Sequence, residues 1–447
     1  MAEEEKVKEI LEKAKQDGVK FVQLQFTDIH GVIKSVTIPV ERLSESLEKG
    51  IWFDGSSIEG FTRIAESDMY LKPDVSTYVV LPWEMGEGAT ARFICDVYTP
   101  DGKPFEGDPR YILKKVMKEA SELGYEYNVG PELEFFLFKP REDGELVPTA
   151  HDKAGYFDFS PKDLAADVRN DIIKALESVG IEVEMSHHEV APGQHEINFK
   201  YGAALETADK AITFKHVVKS IAQKHGLYAT FMPKPLFGQA GSGMHVHQSL
   251  FKDGKNAFFD ADDKYKLSNV AKSFVAGQLA HVKAMSAIVA PKVNSYKRLV
   301  PGYEAPVYIC WAHINRSALI RIPRYSPGRE QATRAEIRCP DPSCNPYLAF
   351  AVMLKAGLEG IKKKIMLQEP VEEDVYEFDE AKLEKRKIDT LPASLGEAME
   401  ELKKDSVIQE ALGNHTYPIY LAAKKAEYDE YRLQVTKWEL EKYFEST

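Results

Sequence analysis

Gly130-Pro131-Glu132-Leu133-Glu134-Phe135-Phe136 alternates acids with bulky apolar residues, and this alternation governs the reading of the chain. In a strand, residues two apart point to the same face. Glu132 and Glu134 then project together, while Leu133, Phe135 and Leu137 face the other way. Three further segments repeat the pattern: His188-Glu189-Val190 with His195-Glu196-Ile197-Asn198, Met244-His245-Val246-His247, and Ala335-Glu336-Ile337-Arg338. One Glu-x-Glu alone is an ordinary solvated strand face. Neighbours as apolar as these make the strands half-buried, where a carboxylate is costly unless paired or metal-bound. Several strands sending acids and imidazoles to one face predict an oxygen-rich cage for divalent cations.

The candidate donors are nearly all carboxylates, with one or two imidazoles and no thiolate. Hard oxygen ligands favour Mg²⁺ or Mn²⁺ over Zn²⁺. The candidates outnumber what one Mg²⁺ takes from protein, so two ions are expected, a pairing suited to phosphoryl transfer. A second constellation is basic. Arg298, Arg316, Arg321, Arg334 and Arg338 lie among Ile320, Ile322 and Ile337, residues of buried-strand type. Guanidinium forks bind carboxylate and phosphate bidentately. Arginines beside a metal cage therefore predict an anionic substrate. Two loops resemble parts of an active site: residues 53–61, with Asp54 near the start, and residues 239–244, whose glycines allow close backbone approach to a ligand.

The 447 residues are enough for two or three domains and a large core. A hydrophobic fraction of 44% with 29% charged residues reads as soluble and globular. A net charge of −12 argues against general nucleic-acid binding. No run of about 18 apolar residues is present to cross a membrane. The N-terminus is charged without an apolar signal region, and Cys95, Cys310, Cys339 and Cys344 read as reduced thiols. A cytoplasmic enzyme is expected.

Residues 6–15 have helical apolar spacing. Residues 21–26 and 32–38 read as a hairpin, with further strands at 77–81 and 91–98. Tyr98-Thr99-Pro100-Asp101-Gly102-Lys103-Pro104 is strong punctuation. It predicts a small domain over 1–104 and a large α+β domain over 105–447. Helices are expected at 109–123 and 161–178, and a helical tail at 418–444. There is no P-loop, and Gly86-Glu87-Gly88-Ala89-Thr90-Ala91 runs into a strand, not the helix that a dinucleotide-binding motif requires.

At this point the chain resembles class I glutamine synthetase over essentially its whole length. The matching segments are residues 53–61 (FDGSSIEGF), 130–138 (GPELEFFLF), 187–196 (HHEVAPGQHE), 241–247 (GSGMHVH), 297–306 (KRLVPGYEAP), 315–323 (NRSALIRIP) and 336–347 (EIRCPDPSCNPY). The resemblance implies an α+β fold: an N-terminal β-grasp domain and a catalytic domain whose antiparallel sheet lines the metal site. It implies ATP-driven ligation of ammonium to the γ-carboxylate of glutamate through γ-glutamyl phosphate, with two Mg²⁺ or Mn²⁺ ions. It also implies a homododecamer of two stacked hexameric rings, with active sites between neighbours.

By the same resemblance, Glu134, Glu189 and Glu196 hold the first metal, and Glu132, His245 and Glu336 the second. Arg298 and Arg338 clamp glutamate beside Gly241, while Arg316 and Arg321 neutralise phosphate. Glu184, His247 and Ser249 contact ATP. Asp54 binds ammonium across the subunit boundary, and Glu304 lies on the loop that closes over glutamate. Arg63 matches the glutamine sensor of feedback-inhibited members, which are regulated by direct binding of effectors and small regulatory proteins. Two departures stand out. Ala240 replaces an asparagine that helps bind glutamate in many relatives, and Asp389 stands where an adenylylated subgroup carries tyrosine. The rival readings are a γ-glutamyl-polyamine ligase and a non-catalytic structural ring. The tail from about residue 416, with Tyr417, Tyr420, Leu421, Tyr428 and Tyr431, is expected to hold the rings together.

Overall fold

In the computed structural model, the structure describes residues 2–61, 68–85, 88–140, 148–301, 305–313 and 315–446. The N-terminal unit is a six-stranded sheet of β1 (Val19–Thr27), β2 (Ile33–Pro39), β3 (Ile51–Asp54), β4 (Asp68–Pro73), β5 (Val79–Met85) and β6 (Ala89–Tyr98). The order is β2-β1-β6-β4-β3, with β5 also on β6. β1 and β6 run parallel, and the β1–β2 hairpin is antiparallel. The helix Ala2–Gln16 adds Ala14 to a core built on Leu24, Phe26 and Phe93.

The second sheet has eleven strands: β7 (Glu126–Phe138), β8 (Val183–His188), β9 (Gln194–Phe199), β10 (Gly202–Ala203), β11 (Tyr228–Thr230), β12 (Met244–Lys252), β13 (Lys255–Asn256), β14 (Tyr308–Ala312), β15 (Ala318–Arg321), β16 (Ala335–Ile337) and β17 (Asp389–Thr390). Along it the order is β17-β14-β15-β16-β12-β7-β9-β8. β7 is the central strand. It buries Leu133, Phe135 and Leu137 against a layer of helices that contributes Phe214, Phe274 and Phe350. Its opposite face carries Glu132 and Glu134, as the alternation requires.

Arg110 fastens the two units together. Its buried guanidinium meets Asp96 at 2.7 Å and Asp74 at 2.8 Å on the N-terminal side, and Asp209 at 2.9 Å on the catalytic side. All four cysteines are free and buried, as expected of reduced thiols.

Two expected elements differ. The helix placed at 161–178 begins at Ala166, because Asp163 accepts from Ala165 N at 2.9 Å and pairs with Arg169, tying the preceding residues into a turn. The expected tail helix is divided. One helix, Ser406–Arg432, is kinked at Gly413, and a separate one, Lys437–Tyr443, starts at a Thr436–Glu439 capping box. Thr416 and Tyr420 are buried in the catalytic core, where Tyr420 donates to Ala287 O at 2.8 Å. The first helix therefore belongs to the fold, and only the segment after Arg432 projects from it.

Candidate active site

Strand register, more than any single side chain, assembles the site. His245 lies opposite Glu132, and His247 lies opposite Glu336. Glu134 and His187 both lie opposite Glu196, and Arg321 lies opposite Glu336. Paired positions share a face, so six strands deliver polar side chains to one face of the sheet, where they line a common cleft. That cleft has a volume of about 700 Å³.

Two groups of ligand atoms occupy its floor. Glu132, His245 and Glu336 offer one atom each within 4.8 Å of one another. His187, Glu189 and Glu196 do the same. Glu134 lines the cleft beside this second group, its Oε2 accepting from Gln194 Nε2 at 2.8 Å and Gly243 N at 3.0 Å. The described site therefore brings together all six expected metal ligands and adds His187, whose nitrogens lie 3.4 Å from Glu189 and 3.5 Å from Glu196.

The local electrostatics fit a pair of cations. Burial raises the Glu134 carboxyl well above its ordinary value, and the Glu189 and Glu196 carboxylates push it further. Burial opposes charging His187, yet Glu196 and Glu189 raise its imidazole. This half of the site has an excess of negative charge that a divalent ion would satisfy. In the other half, burial works against ionisation of Glu336, but His247, Arg338, His245 and Arg321 bring it down to about 2. Burial also lowers His245, and Arg338 reinforces this, keeping the neutral imidazole that a metal ligand must be. Carboxylate and imidazole donors without thiolate suit Mg²⁺ or Mn²⁺.

Arg298, Arg316, Arg321, Arg338 and Gly241 line the same cleft. Arg321 and Arg338 grip Glu336 at 2.5 and 2.6 Å. Arg298 is buried and donates to Cys339 O at 3.0 Å and Arg338 O at 3.1 Å. Its path explains the glycine loop. A Cβ on Gly241 would lie 2.3 Å from Pro233 O, and one on Gly243 would lie 2.6 Å from Arg298 Nη2. Ala240 lines the cleft at the position of the missing asparagine.

A second cavity of about 650 Å³ adjoins the first and shares Glu132 with it. Glu184, His247 and Ser249 line this cavity, while Arg316 and Arg321 remain in the first. His247 connects the two halves. Its Nδ1 accepts from Arg334 Nε at 3.1 Å, and its Nε2 lies 3.0 Å from Glu132 Oε1. Asp54 is exposed at the end of β3 and is not among the residues lining either cavity. Glu304 and Arg63 lie outside the described residues.

Sequence reasoning left several contributors without a role. His187 and Gln194 fall within the 187–196 segment, where the only local signal for Gln194 is a polar residue at a tight hairpin between two acids. Tyr156 lines the cleft with Arg316, but no local pattern marks it.

Residues 18–100 match the family model "Glutamine synthetase, beta-Grasp domain", and residues 106–443 match "Glutamine synthetase, catalytic domain". The glutamine synthetase of Methanosarcina mazei is 57% identical over 435 residues, 97% of each chain. That of Thermotoga maritima is 55% identical over 439 residues, covering 98% of this chain and 99% of the relative. Among solved structures, a GmaS complex with ADP superposes with a TM-score of 0.88 at 33% identity, covering 97% of this chain and 99% of the other. Plasmodium falciparum glutamine synthetase superposes with a TM-score of 0.87 at 27% identity, covering 98% of each. The two domain matches place the chain among ligases that need a divalent metal and ATP, and the two acid–imidazole groups of the cleft fit that need. The chain belongs to the glutamine synthetase family. It is an ATP-dependent glutamate–ammonia ligase that makes glutamine. Among the described residues, no helix is long and apolar enough to cross a membrane.

Proposed function

We propose the following division of labour for glutamine synthesis. Glutamate occupies the larger cleft, with its carboxylate on Arg298 and Arg338 beside Gly241. ATP occupies the adjoining cavity against Glu184, His247 and Ser249, with its phosphates directed toward the shared wall at Glu132. Glu134, Glu189 and Glu196 would hold one Mg²⁺ or Mn²⁺, and Glu132, His245 and Glu336 another. Such ions would supply positive charge to spread the negative charge that develops on the phosphate oxygens. Arg316 and Arg321 add fixed positive charge as the γ-carboxylate oxygen attacks the terminal phosphorus and ADP departs. Asp54 of a neighbouring subunit takes a proton from ammonium. The ammonia nitrogen then attacks the acyl carbon, and phosphate leaves. Glu304 sits on the segment that shields the acyl phosphate from water.

The wider context is proposed with it: a cytoplasmic homododecamer of two hexameric rings, and glutamine feedback sensed at Arg63. The observation that carries the reading is Glu132, which lines both cavities while belonging to one ligand group. The shared wall at Glu132 supports seating the phosphate end of ATP beside the glutamate carboxylate. Initial rates of phosphate release with ATP, glutamate and either ammonium or putrescine test it. Ammonium should be the preferred acceptor, and phosphate release should require glutamate. Preference for putrescine, or glutamate-independent release, would overturn it.

A further inference from the structure

Behind the first metal group lies a buried polar layer that the chemistry above does not use. Asp152 and His188 are both fully excluded from solvent. Asp152 Oδ1 lies 3.0 Å from His188 Nε2 and accepts from Gly193 N at 2.9 Å. Its Oδ2 accepts from Leu164 N at 3.3 Å. His188 Nδ1 lies 2.7 Å from the carbonyl oxygen of Glu189. Both partners of the ring are oxygen acceptors, so both ring nitrogens donate. One carboxylate oxygen thus holds the end of β8 through His188 and the residue before β9 through Gly193. The hairpin between them carries Glu189 at one end and leads into Glu196 at the other.

The opposite side of the hairpin is fixed by Gln194. Its side-chain oxygen accepts from Ala191 N at 3.1 Å, and its amide nitrogen donates to Glu134 Oε2 at 2.8 Å and Gly241 O at 3.1 Å. The turn is therefore held from behind by Asp152–His188 and tied in front to β7 and the glycine loop.

Asp152, His188 and His195 also lie close enough together to hold a metal. Two contacts argue for a different role. Arg169 Nη1 lies 3.0 Å from His195 Nδ1, so a cation already occupies that side. The two nitrogens of His188 are both committed to oxygens. Burying an aspartate and a histidine is costly where an apolar pair would pack as well. What the polar pair adds is direction: it fixes three backbone positions, two of them, Glu189 O and Gly193 N, in the metal-bearing hairpin.

We propose that Asp152 and His188 are positioning residues for the first metal site, setting the backbone at Glu189 and Gly193 so that Glu189 and Glu196 meet one cation. The inference rests on the reading that Glu134, Glu189 and Glu196 hold a metal. Contacts of this outer kind change metal affinity by about 10- to 100-fold when removed.

Mn²⁺ titration of the full-length protein, followed by electron paramagnetic resonance of free Mn²⁺, tests it. Glu189→Gln identifies the class of Mn²⁺ that belongs to the first site. Asp152→Ala should weaken that class by about 10-fold or more and leave the other class within about twofold. Asp152→Asn, which keeps Oδ1, should recover most of the loss. His188→Gln tests the same link should Asp152→Ala fail to fold. Unchanged affinity of the Glu189-dependent class in folded Asp152 and His188 variants would overturn the proposal and leave the metal reading standing. If Glu189→Gln removes no Mn²⁺, the metal reading fails and the proposal fails with it.

Discussion

Glu132 and Glu134 stand two residues apart on one strand face, yet their surroundings shift their acidities in opposite directions. Burial raises both. At Glu132, hydrogen bonds from His245 and His247 more than reverse it, holding the carboxylate well below its ordinary range. At Glu134, Glu189 and Glu196 add to burial and push it well above. One half of the cleft is thus internally neutralised, and the other depends on an added cation.

Glu134→Gln should separate stability from function. Glutamine keeps the acceptor for Gly243 N and removes a group that repels two carboxylates. Without metal, the variant should melt at or above the wild-type temperature. The stabilisation that Mn²⁺ gives wild type, about 2.7 kcal/mol at a hundredfold excess over Kd, should shrink. Activity should fall by more than about 100-fold, since a ligand outweighs its outer contacts. A normal Mn²⁺-dependent rise in melting temperature would contradict this.

Asp54 lines neither cavity of its own chain, so its role should be supplied in trans. Asp54→Ala and Arg338→Ala should each be nearly inactive alone. Dissociated, mixed in equal amounts and reassembled, they should regain about a quarter of wild-type activity, because that share of interfaces joins two intact halves. No recovery in mixtures shown to contain both chains would show that Asp54 does not act across the subunit boundary.

Deletion after Arg432 should weaken assembly without unfolding the subunit. Leu433, Val435, Trp438, Leu440 and Phe444 are all exposed, more apolar surface than a short helix normally leaves in water. Truncation at residue 416, by contrast, removes Tyr420 and Lys424 from the core and should give insoluble protein. Light scattering distinguishes the outcomes: smaller soluble particles are expected after the first deletion, and an unchanged particle would refute the assignment.

The sequence revealed the strands that carry the ligands because each alternates a polar donor with a large apolar residue, a signal confined to four or five positions. Leu133 between Glu132 and Glu134, and Val246 between His245 and His247, made that reading possible. The supporting layer has no such signature. Asp152 lies 36 residues from His188 and 41 from Gly193, and only the folded sheet brings them together. The division of the tail is hard to see in sequence because Tyr417, Tyr420 and Tyr428 look alike whether they pack on their own core, as buried Tyr420 does, or on another subunit. The Thr436–Glu439 capping box is the local signal of the break.

Lys424 gives a prediction with a defined pH dependence. Its side chain is 1% exposed, and burial, reinforced by Lys292, lowers its ammonium from the ordinary 10.5 to about 8. The unfolded chain holds this proton up to 10.5, and the folded chain releases it near 8. Between those values the unfolded state binds more protons, so this group makes stability rise with pH across that window. Below pH 8 the full penalty of the buried charge stands. Lys424→Met removes it without stranding Glu427, which retains Lys292 at 3.7 Å and Val293 N at 3.3 Å. The variant should therefore be more stable than wild type at pH 7, by about 1–3 kcal/mol. The gain should fall as the pH is raised toward 10. Chemical denaturation of both proteins at pH 7 and pH 10 measures it. A variant less stable than wild type at pH 7, or a gain that grows with pH, would show that the Lys424–Glu427 attraction outweighs the cost of burial.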